Sequence, residues 1–192
     1  MFPNLQGKVK SISATEAAEK VKKGKHVLVD VRTKEAFEQA HPEGAVNVPL
    51  YKTLNLQEGG PSKWLKYLAY AANGVSPIEL NTAFDEEIKA AAAGKGIITI
   101  CDAGGSLKPT VNFPQGKASR SLQAAYIALT QGLTSGEIIH LDRGLYGWYQ
   151  EDGEMVGEYK PDIGRTPMAA QDPTLARLSA ETGYEVRPGD KR

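Results

Sequence analysis

The sequence predicts an α/β fold in which a central parallel sheet is covered by helices on both faces. Short apolar runs alternate with amphipathic helical patterns along the chain, which is typical of a parallel sheet with crossover helices. The runs are apolar on successive residues rather than on alternate residues, as expected for strands that are buried on both faces. Working sites in such sheets lie beyond the carboxyl ends of the strands.

The first half of the chain contains clear boundary signals. Ser-Ala-Thr-Glu at residues 13–16 is a capping-box pattern and predicts the start of a helix, which Gly24 ends. Three further elements follow: a buried strand over 26–31, a short helix over 33–40 and a second strand over 45–48.

Residues 51–95 form a long excursion with two predicted helices. The first begins at Pro61, and the second covers 82–93 with Phe84 and Ile88 facing inward. The first helix has Trp64, Leu65, Leu68 and Ala71 on one face, and we interpret the stripe of Trp64, Tyr67 and Leu68 as core or partner-facing packing. Four more elements are predicted after the excursion: a third buried strand over 96–101, a helix over 120–130, a fourth strand over 137–141 and a short helix over 145–148.

Length and composition indicate one domain without a global charge preference. The chain has 192 residues, and 23 Lys and Arg balance 23 Asp and Glu, so nothing favours nucleic acid as a partner. No apolar run reaches the ~18 residues that a membrane span needs, and the first residues lack the pattern of a signal peptide. We expect a single domain over 1–152 and an extended polar tail, rich in Pro and Gly, over 153–192.

The single cysteine, Cys101, ends the third predicted strand. Gly104 and Gly105 follow it, and Ser119 then precedes a predicted helix. Backbone N–H groups and a helix N-terminus at such a position favour the thiolate form of the side chain. A lone cysteine is also often a small buried hydrophobe. One cysteine forms no internal disulfide, which favours a soluble, thiol-reducing compartment.

Four motifs occur in a fixed order along the chain. They are Asp30-Val31-Arg32, the stretch AHPEGAVNVP at 40–49, Cys101, and LDRGLYGW at 141–148. Together they resemble the rhodanese (sulfurtransferase) domain, with its D-V-R, G-H-I-x-G-A-x-N-I-P and L-x-G-G-x-x-x-W stretches, over residues 10–152. The resemblance implies the three-layer rhodanese-like fold. Within the family the chain is most similar to plant and algal chloroplast members with an extended active-site loop, which implies a chloroplast location, stromal or thylakoid-associated.

The resemblance also implies a mechanism. Cys101 would attack the outer sulfur of thiosulfate or a similar donor, form a persulfide and pass that sulfur to a thiol or to cyanide. Main-chain amides at Gly104, Gly105 and Ser106 would stabilise the sulfur anion. Arg120 would bind the sulfonate of the donor, because a planar guanidinium suits an oxyanion.

Other positions have supporting roles by the same resemblance. Ser119 is grouped with the substrate-binding residues and is expected to cap the helix and so orient the loop, with Ser121 as a supporting residue. Asp30 is expected to accept hydrogen bonds at a strand end, and Arg32 to pair with a nearby acid such as Glu35. No residues have metal-ligand spacing and no nucleotide-binding motif occurs, so we expect neither a metal nor another cofactor.

The chain departs from the family pattern at Arg120. Single-domain rhodaneses place an arginine shortly after the cysteine, whereas here an insertion over 102–118 separates the two. The enzymatic interpretation therefore stays open beside a second one, an inactive or weak rhodanese-fold module. That module would dock onto a larger protein assembly, such as a thylakoid or photosynthetic one, through the 51–95 insertion or the tail. A related phosphatase chemistry is excluded because residues 102–107 contain no arginine.

Overall fold

The computed structural model describes residue 5 and residues 7–56, 60–72, 77–109 and 116–160. In chain order the elements are β1 (Lys10–Ile12), α1 (Ala14–Lys22), β2 (His26–Asp30), α2 (Lys34–Gln39), β3 (Ala40–Pro42), β4 (Val46–Asn47), β5 (Tyr51–Thr53), α3 (Pro61–Ala72), β6 (Ile78–Leu80), α4 (Phe84–Ala92), β7 (Gly96–Ile100), α5 (Arg120–Thr130), β8 (Ile138–Leu141), α6 (Gly144–Gln150) and β9 (Met155–Gly157).

A five-stranded sheet in the order β1-β8-β7-β2-β4 forms the centre of the fold, and its neighbouring strands pair in parallel. Alternate side chains of β7 enter two separate apolar clusters. Ile97 packs with Ile88 of α4 and Leu122 of α5, while Ile98 packs with α1 and with Leu145 of α6. The sheet is thus covered by helices on both faces, and the predicted α/β, three-layer class is confirmed.

Helix starts follow the sequence signals closely. At α1, the Ser13 side chain accepts a hydrogen bond from the Glu16 amide at 3.2 Å, and the Glu16 carboxylate accepts one from the Ser13 amide at 3.2 Å. This is the predicted capping box. Helix α5 begins at Arg120 with Ser119 as its N-cap. The first turn of α5 therefore places Ser121 beside Cys101.

The excursion over 51–95 contains β5, α3, β6 and α4. Phe84 and Ile88 of α4 are buried, as predicted. The interpretation of the α3 stripe as core packing is wrong, because Trp64, Leu65 and Leu68 are 53%, 72% and 58% exposed. Periodicity defines a face of a helix without determining which side of the molecule that face covers. The Ala71 side chain lies outside the described part of the chain.

Three features of the fold have weak sequence signals. Strand β1 is a short edge strand, β5 pairs with β6, and β3 pairs antiparallel with β9. Because β9 belongs to the segment assigned to the tail, the first residues of that segment are attached to β3. Residues 161–192 of the tail lie outside the described residues. None of the described helices has the length and apolar character needed to cross a membrane.

Candidate active site

Cys101 follows β7 directly and is only 5% exposed. Its carbonyl accepts a hydrogen bond from the Leu145 amide at 2.8 Å, so the start of α6 fixes the backbone at this point. Its Sγ lies 3.2 Å from the hydroxyl oxygen of Ser121, in the first turn of α5. The structure therefore brings the thiol to the N-terminal end of a helix, where positive partial charge favours an anion.

The carbonyl oxygen of Gly104 is the centre of a polar cluster beside Cys101. It accepts a hydrogen bond from the Ser119 hydroxyl at 2.6 Å, and a second, short one from Nε2 of His140. The Ser121 hydroxyl lies 3.3 Å from the same oxygen. Gly104 has a positive φ of 71°. This conformation, which glycine adopts without strain, turns the carbonyl toward the three side chains.

His140 is a component of the site that the sequence analysis did not identify. It is completely buried in β8, and burial lowers the pKa of its imidazole to about 4, although the Gly104 carbonyl and Asp142 act in the opposite direction. The ring is therefore neutral near pH 7. Its Nδ1 lies 2.9 Å from the Ser11 hydroxyl of β1. A histidine inside the apolar run Ile-Ile-His-Leu was the one available signal.

Ser119 has two functions in the geometry of the loop. Its Oγ accepts a hydrogen bond from the Leu122 amide at 3.1 Å, which makes it the predicted N-cap of α5. The same hydroxyl donates to Gly104, as described above, and lies 3.0 Å from the Ser121 hydroxyl. Helix α5 is in this way joined to the loop that follows Cys101.

The D-V-R motif forms a buried ion-pair cluster. Arg32 donates hydrogen bonds to both carboxylate oxygens of Asp30 at 2.7 to 3.0 Å, and it also donates to the Ala40 carbonyl. Burial raises the pKa of the Asp30 carboxyl, and the hydrogen bonds and charge of Arg32 act against that rise. The second acid that Arg32 contacts is Asp102, at 3.3 Å, and not Glu35 as expected.

The reason for this difference is the sheet register. Asp30 of β2 pairs with Ile100 of β7, so the two residues that follow each strand, Arg32 and Asp102, meet at the same edge. Glu35 lies on α2 and is exposed. Its pKa is lowered by a backbone hydrogen bond at its own position, with the hydroxyls of Thr33 and Thr53 contributing.

The amides predicted to surround an anion are partly engaged by the backbone. The Gly105 amide donates to the Ala103 carbonyl at 2.8 Å, and the Ser106 amide donates to the Lys117 carbonyl at 2.9 Å. The Lys117 amide donates back to Ser106 at 2.8 Å, so the two ends of the insertion form an isolated β-bridge. In this conformation the bridge closes the inserted loop at its base.

Arg120 occupies the first position of α5, next to Ser121. In the part of the chain that the structure describes, no salt bridge joins its guanidinium to a carboxylate. The site thus combines a buried thiol, a hydroxyl at hydrogen-bond distance and a helix N-terminus that begins with a cation. This combination suits a sulfur nucleophile and an anionic reactant.

The part of the chain that contains this site is similar to a known protein family. The family model for the rhodanese-like domain matches residues 13–151. The curated protein "Rhodanese-like domain-containing protein 14, chloroplastic" of Arabidopsis thaliana is 34% identical over 149 residues, which cover 77% of this chain and 65% of the relative. This chain therefore spans slightly less than two thirds of that relative's length.

The chain is also similar to proteins of known structure. A rhodanese-related protein from Thermoplasma volcanium has a TM-score of 0.45 and 17% identity, covering 78% of this chain and 99% of that one. A thiosulfate sulfurtransferase from Pseudomonas aeruginosa has a TM-score of 0.43 and 13% identity, covering 89% of this chain and 24% of that one.

Proposed function

The chain belongs to the rhodanese-like domain family, and on that premise we propose that it is a sulfurtransferase whose sulfur carrier is Cys101. The contact of 3.2 Å between Cys101 Sγ and the Ser121 hydroxyl, at the N-terminus of α5, is the main observation in favour. A hydroxyl donor and a helix dipole stabilise a thiolate, which is the form that attacks sulfur.

The proposed reaction has two balanced steps. The Cys101 thiolate attacks the outer sulfur of thiosulfate, the S–S bond of the donor breaks, and sulfite leaves with the electron pair. An acceptor thiolate or cyanide then attacks the terminal sulfur of the persulfide. The S–S bond of the Cys101 persulfide breaks and its electron pair returns to Cys101. The acceptor leaves as a persulfide or as thiocyanate.

Nearby residues have distinct parts in this proposal. Ser121 donates a hydrogen bond to the thiolate, and Arg120 binds the sulfonate of the donor. Arg32 offsets the negative charge of Asp102 next to the nucleophile, at 3.3 Å. Without that cation the Asp102 carboxylate would oppose formation of a second anion at residue 101.

Gly104, Gly105 and Ser106 are proposed as the donors to the persulfide anion. Gly104 and Gly105 both have a φ of 71°, and glycine changes its backbone conformation at low cost. We propose that the Gly105 and Ser106 amides exchange their present carbonyl partners for the terminal sulfur when it is loaded.

Intact-mass spectrometry after incubation with thiosulfate, and separately with a polysulfide, tests this function. The expected result is the added mass of one sulfur atom, which dithiothreitol removes and which the Cys101→Ser variant does not acquire. Because Cys101 is the only cysteine in the sequence, no mapping of the adduct is needed. A protein that gains no sulfur from either donor is not a sulfurtransferase of this kind.

The outward face of α3 supports a second candidate function, docking onto a partner protein. This face exposes Trp64, Leu65 and Leu68, and Lys66 is exposed beside them. Helix α3 contains no acidic residue. Lys63, by contrast, is turned toward Glu79 at 3.3 Å. An apolar face with a basic edge suits a partner surface that is apolar with an acidic rim.

Because the Arabidopsis relative is described as chloroplastic, we propose a chloroplast location and a thylakoid or photosynthetic protein as the partner. Sedimentation of the purified protein with washed thylakoid membranes tests this. Binding should be lost in a Trp64→Ser, Leu65→Ser double variant, retained in Cys101→Ser, and lost when the membranes are first treated with protease. Binding that survives protease treatment would indicate lipid instead of protein, and the absence of sedimentation would refute the docking function.

A further inference from the structure

Three hydrogen-bond donors compete for one acceptor next to Cys101. The Gly104 carbonyl receives the Ser119 hydroxyl at 2.6 Å and Nε2 of His140 at short range, while the Ser121 hydroxyl lies further away at 3.3 Å. A carbonyl oxygen offers two lone pairs. The two closer donors therefore saturate it.

The tautomer of His140 follows from its neighbours. A carbonyl can only accept, so the Nε2 atom that contacts Gly104 bears the proton. The Nδ1 atom then accepts, and the Ser11 hydroxyl at 2.9 Å is the donor to it. A completely buried ring with a lowered pKa stays neutral and keeps this arrangement near pH 7.

The Ser121 proton has three acceptors within reach. These are the saturated Gly104 carbonyl, the Ser119 oxygen at 3.0 Å, and Cys101 Sγ at 3.2 Å. The Ser119 oxygen accepts the Leu122 amide and keeps one lone pair for a second donor. A thiolate is the strongest of the three acceptors, because hydrogen bonds to an ionised group are about twice as strong as neutral ones.

We infer that His140 is a positioning residue that keeps the Ser121 hydroxyl directed at Cys101 by occupying the Gly104 carbonyl, and that Ser11 assists it by orienting the His140 ring. Neither residue touches the reacting sulfur. Loss of the imidazole donor would release a lone pair on that carbonyl, and Ser121 would turn to it. The inference deepens the proposed function and rests on it for its purpose, while its physical content concerns only the Cys101 side chain before it carries sulfur.

The rate of Cys101 alkylation by iodoacetamide, measured from about pH 5 to about pH 9, reports the thiolate fraction. His140→Leu should slow alkylation near pH 7 about tenfold and move the midpoint of the pH profile upward, since a hydrogen bond to a charged group is lost. His140→Gln retains an N–H donor and should restore most of the rate. Ser11→Ala, at an exposed position on an edge strand, should have a smaller effect in the same direction.

A double-variant comparison separates this role from general loosening of the site. Ser121→Ala should slow alkylation as His140→Leu does, and His140→Leu should have no further effect when added to Ser121→Ala. Additive effects, or an unchanged pH profile in both His140→Leu and Ser11→Ala, would overturn the inference. If His140→Leu does not fold, the Ser11→Ala profile decides, and a profile identical to that of the parent would overturn the inference. Alkylation needs no sulfur donor, so a failed sulfur-loading experiment and a failed positioning role remain distinguishable.

Discussion

The guanidinium of Arg32 lies 3.3 Å from the carboxylate of Asp102, the residue that follows Cys101. Arg32 follows strand β2 and Asp102 follows the neighbouring strand β7. The contact therefore joins the D-V-R motif to the loop that follows Cys101. Asp30 fixes the other side of the same guanidinium at 2.7 Å. The motif thus contacts the residue beside the cysteine in addition to its place in the sheet.

Replacement of Arg32 should destabilise the protein strongly. In Arg32→Met the completely buried Asp30 carboxylate loses its cation, and breaking a buried pair in this way costs about 3–5 kcal/mol. Urea unfolding at neutral pH measures the change. Asp102→Asn is the matched control, because the Asp102 side chain is 36% exposed and its loss should cost about 1 kcal/mol or less. Equal losses in the two variants would contradict this account.

Gly144→Ala should be far more damaging than Gly132→Ala, although both glycines have similar positive φ angles of 57° and 62°. A methyl group at residue 144 would meet the Cys101 carbonyl and lie 2.6 Å from the Gly104 amide, whereas nothing lies within 4 Å at residue 132. The backbone conformation alone costs about 1–2 kcal/mol in either variant. Overpacking should add about 1–3 kcal/mol or more at residue 144. Urea unfolding of the pair isolates the contact, and similar losses would show that the loop accommodates the methyl group.

Stability should fall as the solution is acidified because of His140. Its pKa is lowered from 6.5 to about 4 in the folded protein, so below pH 6.5 the unfolded chain binds a proton that the folded chain does not. The stabilisation is complete above pH 6.5 and is lost progressively down to about pH 4, with a total near 3 kcal/mol. Unfolding free energies at neutral pH and near pH 4.5 should therefore differ by about 2–3 kcal/mol. His140→Gln should lack most of this dependence, and a variant with the same slope as the parent would assign it to other groups.

An alanine substitution should be costly in one helix of the excursion and nearly neutral in the other. Ile88 of α4 is completely buried, and Ile88→Ala should cost about 2–5 kcal/mol through lost burial and a residual cavity. Leu65 of α3 is 72% exposed, and Leu65→Ala should change the unfolding free energy by about 0.5 kcal/mol or less. Thermal or urea unfolding gives both values. A large loss for Leu65→Ala would mean that its face is covered, for example in a self-associated form.

Local sequence signals predicted most elements of the fold. The capping box at Ser13, the Ser119 cap and the apolar run of β7 are short-range patterns, and the structure shows each of them. The location of Cys101 at a strand end follows from the same run. The orientation of α3 could not be obtained in this way, because a stripe at helical spacing is equally compatible with a face toward the core and a face toward solvent.

The site was less predictable because its decisive contacts are long-range. Glu35 is the first acid that follows Arg32 in the sequence, but the register of β2 with β7 makes Asp102 the second partner of Arg32, beside Asp30. His140 contacts a backbone carbonyl, which has no side-chain signature in a sequence, and Ser11 contacts His140 from another strand. Their contribution becomes visible only when the partner of each buried polar atom is identified.

Strands β2 and β7 pair along their whole length, from His26 with Gly96 to Asp30 with Ile100, although residues 31–95 join them. The entropic cost of closing such a connection increases only with the logarithm of its length, so that doubling it adds about 0.6 kcal/mol. Insertions or deletions between α3 and β6 would accordingly change the closure entropy little and leave the strand register intact. Variants of this protein can therefore acquire a different outer surface at α3 without displacing Cys101.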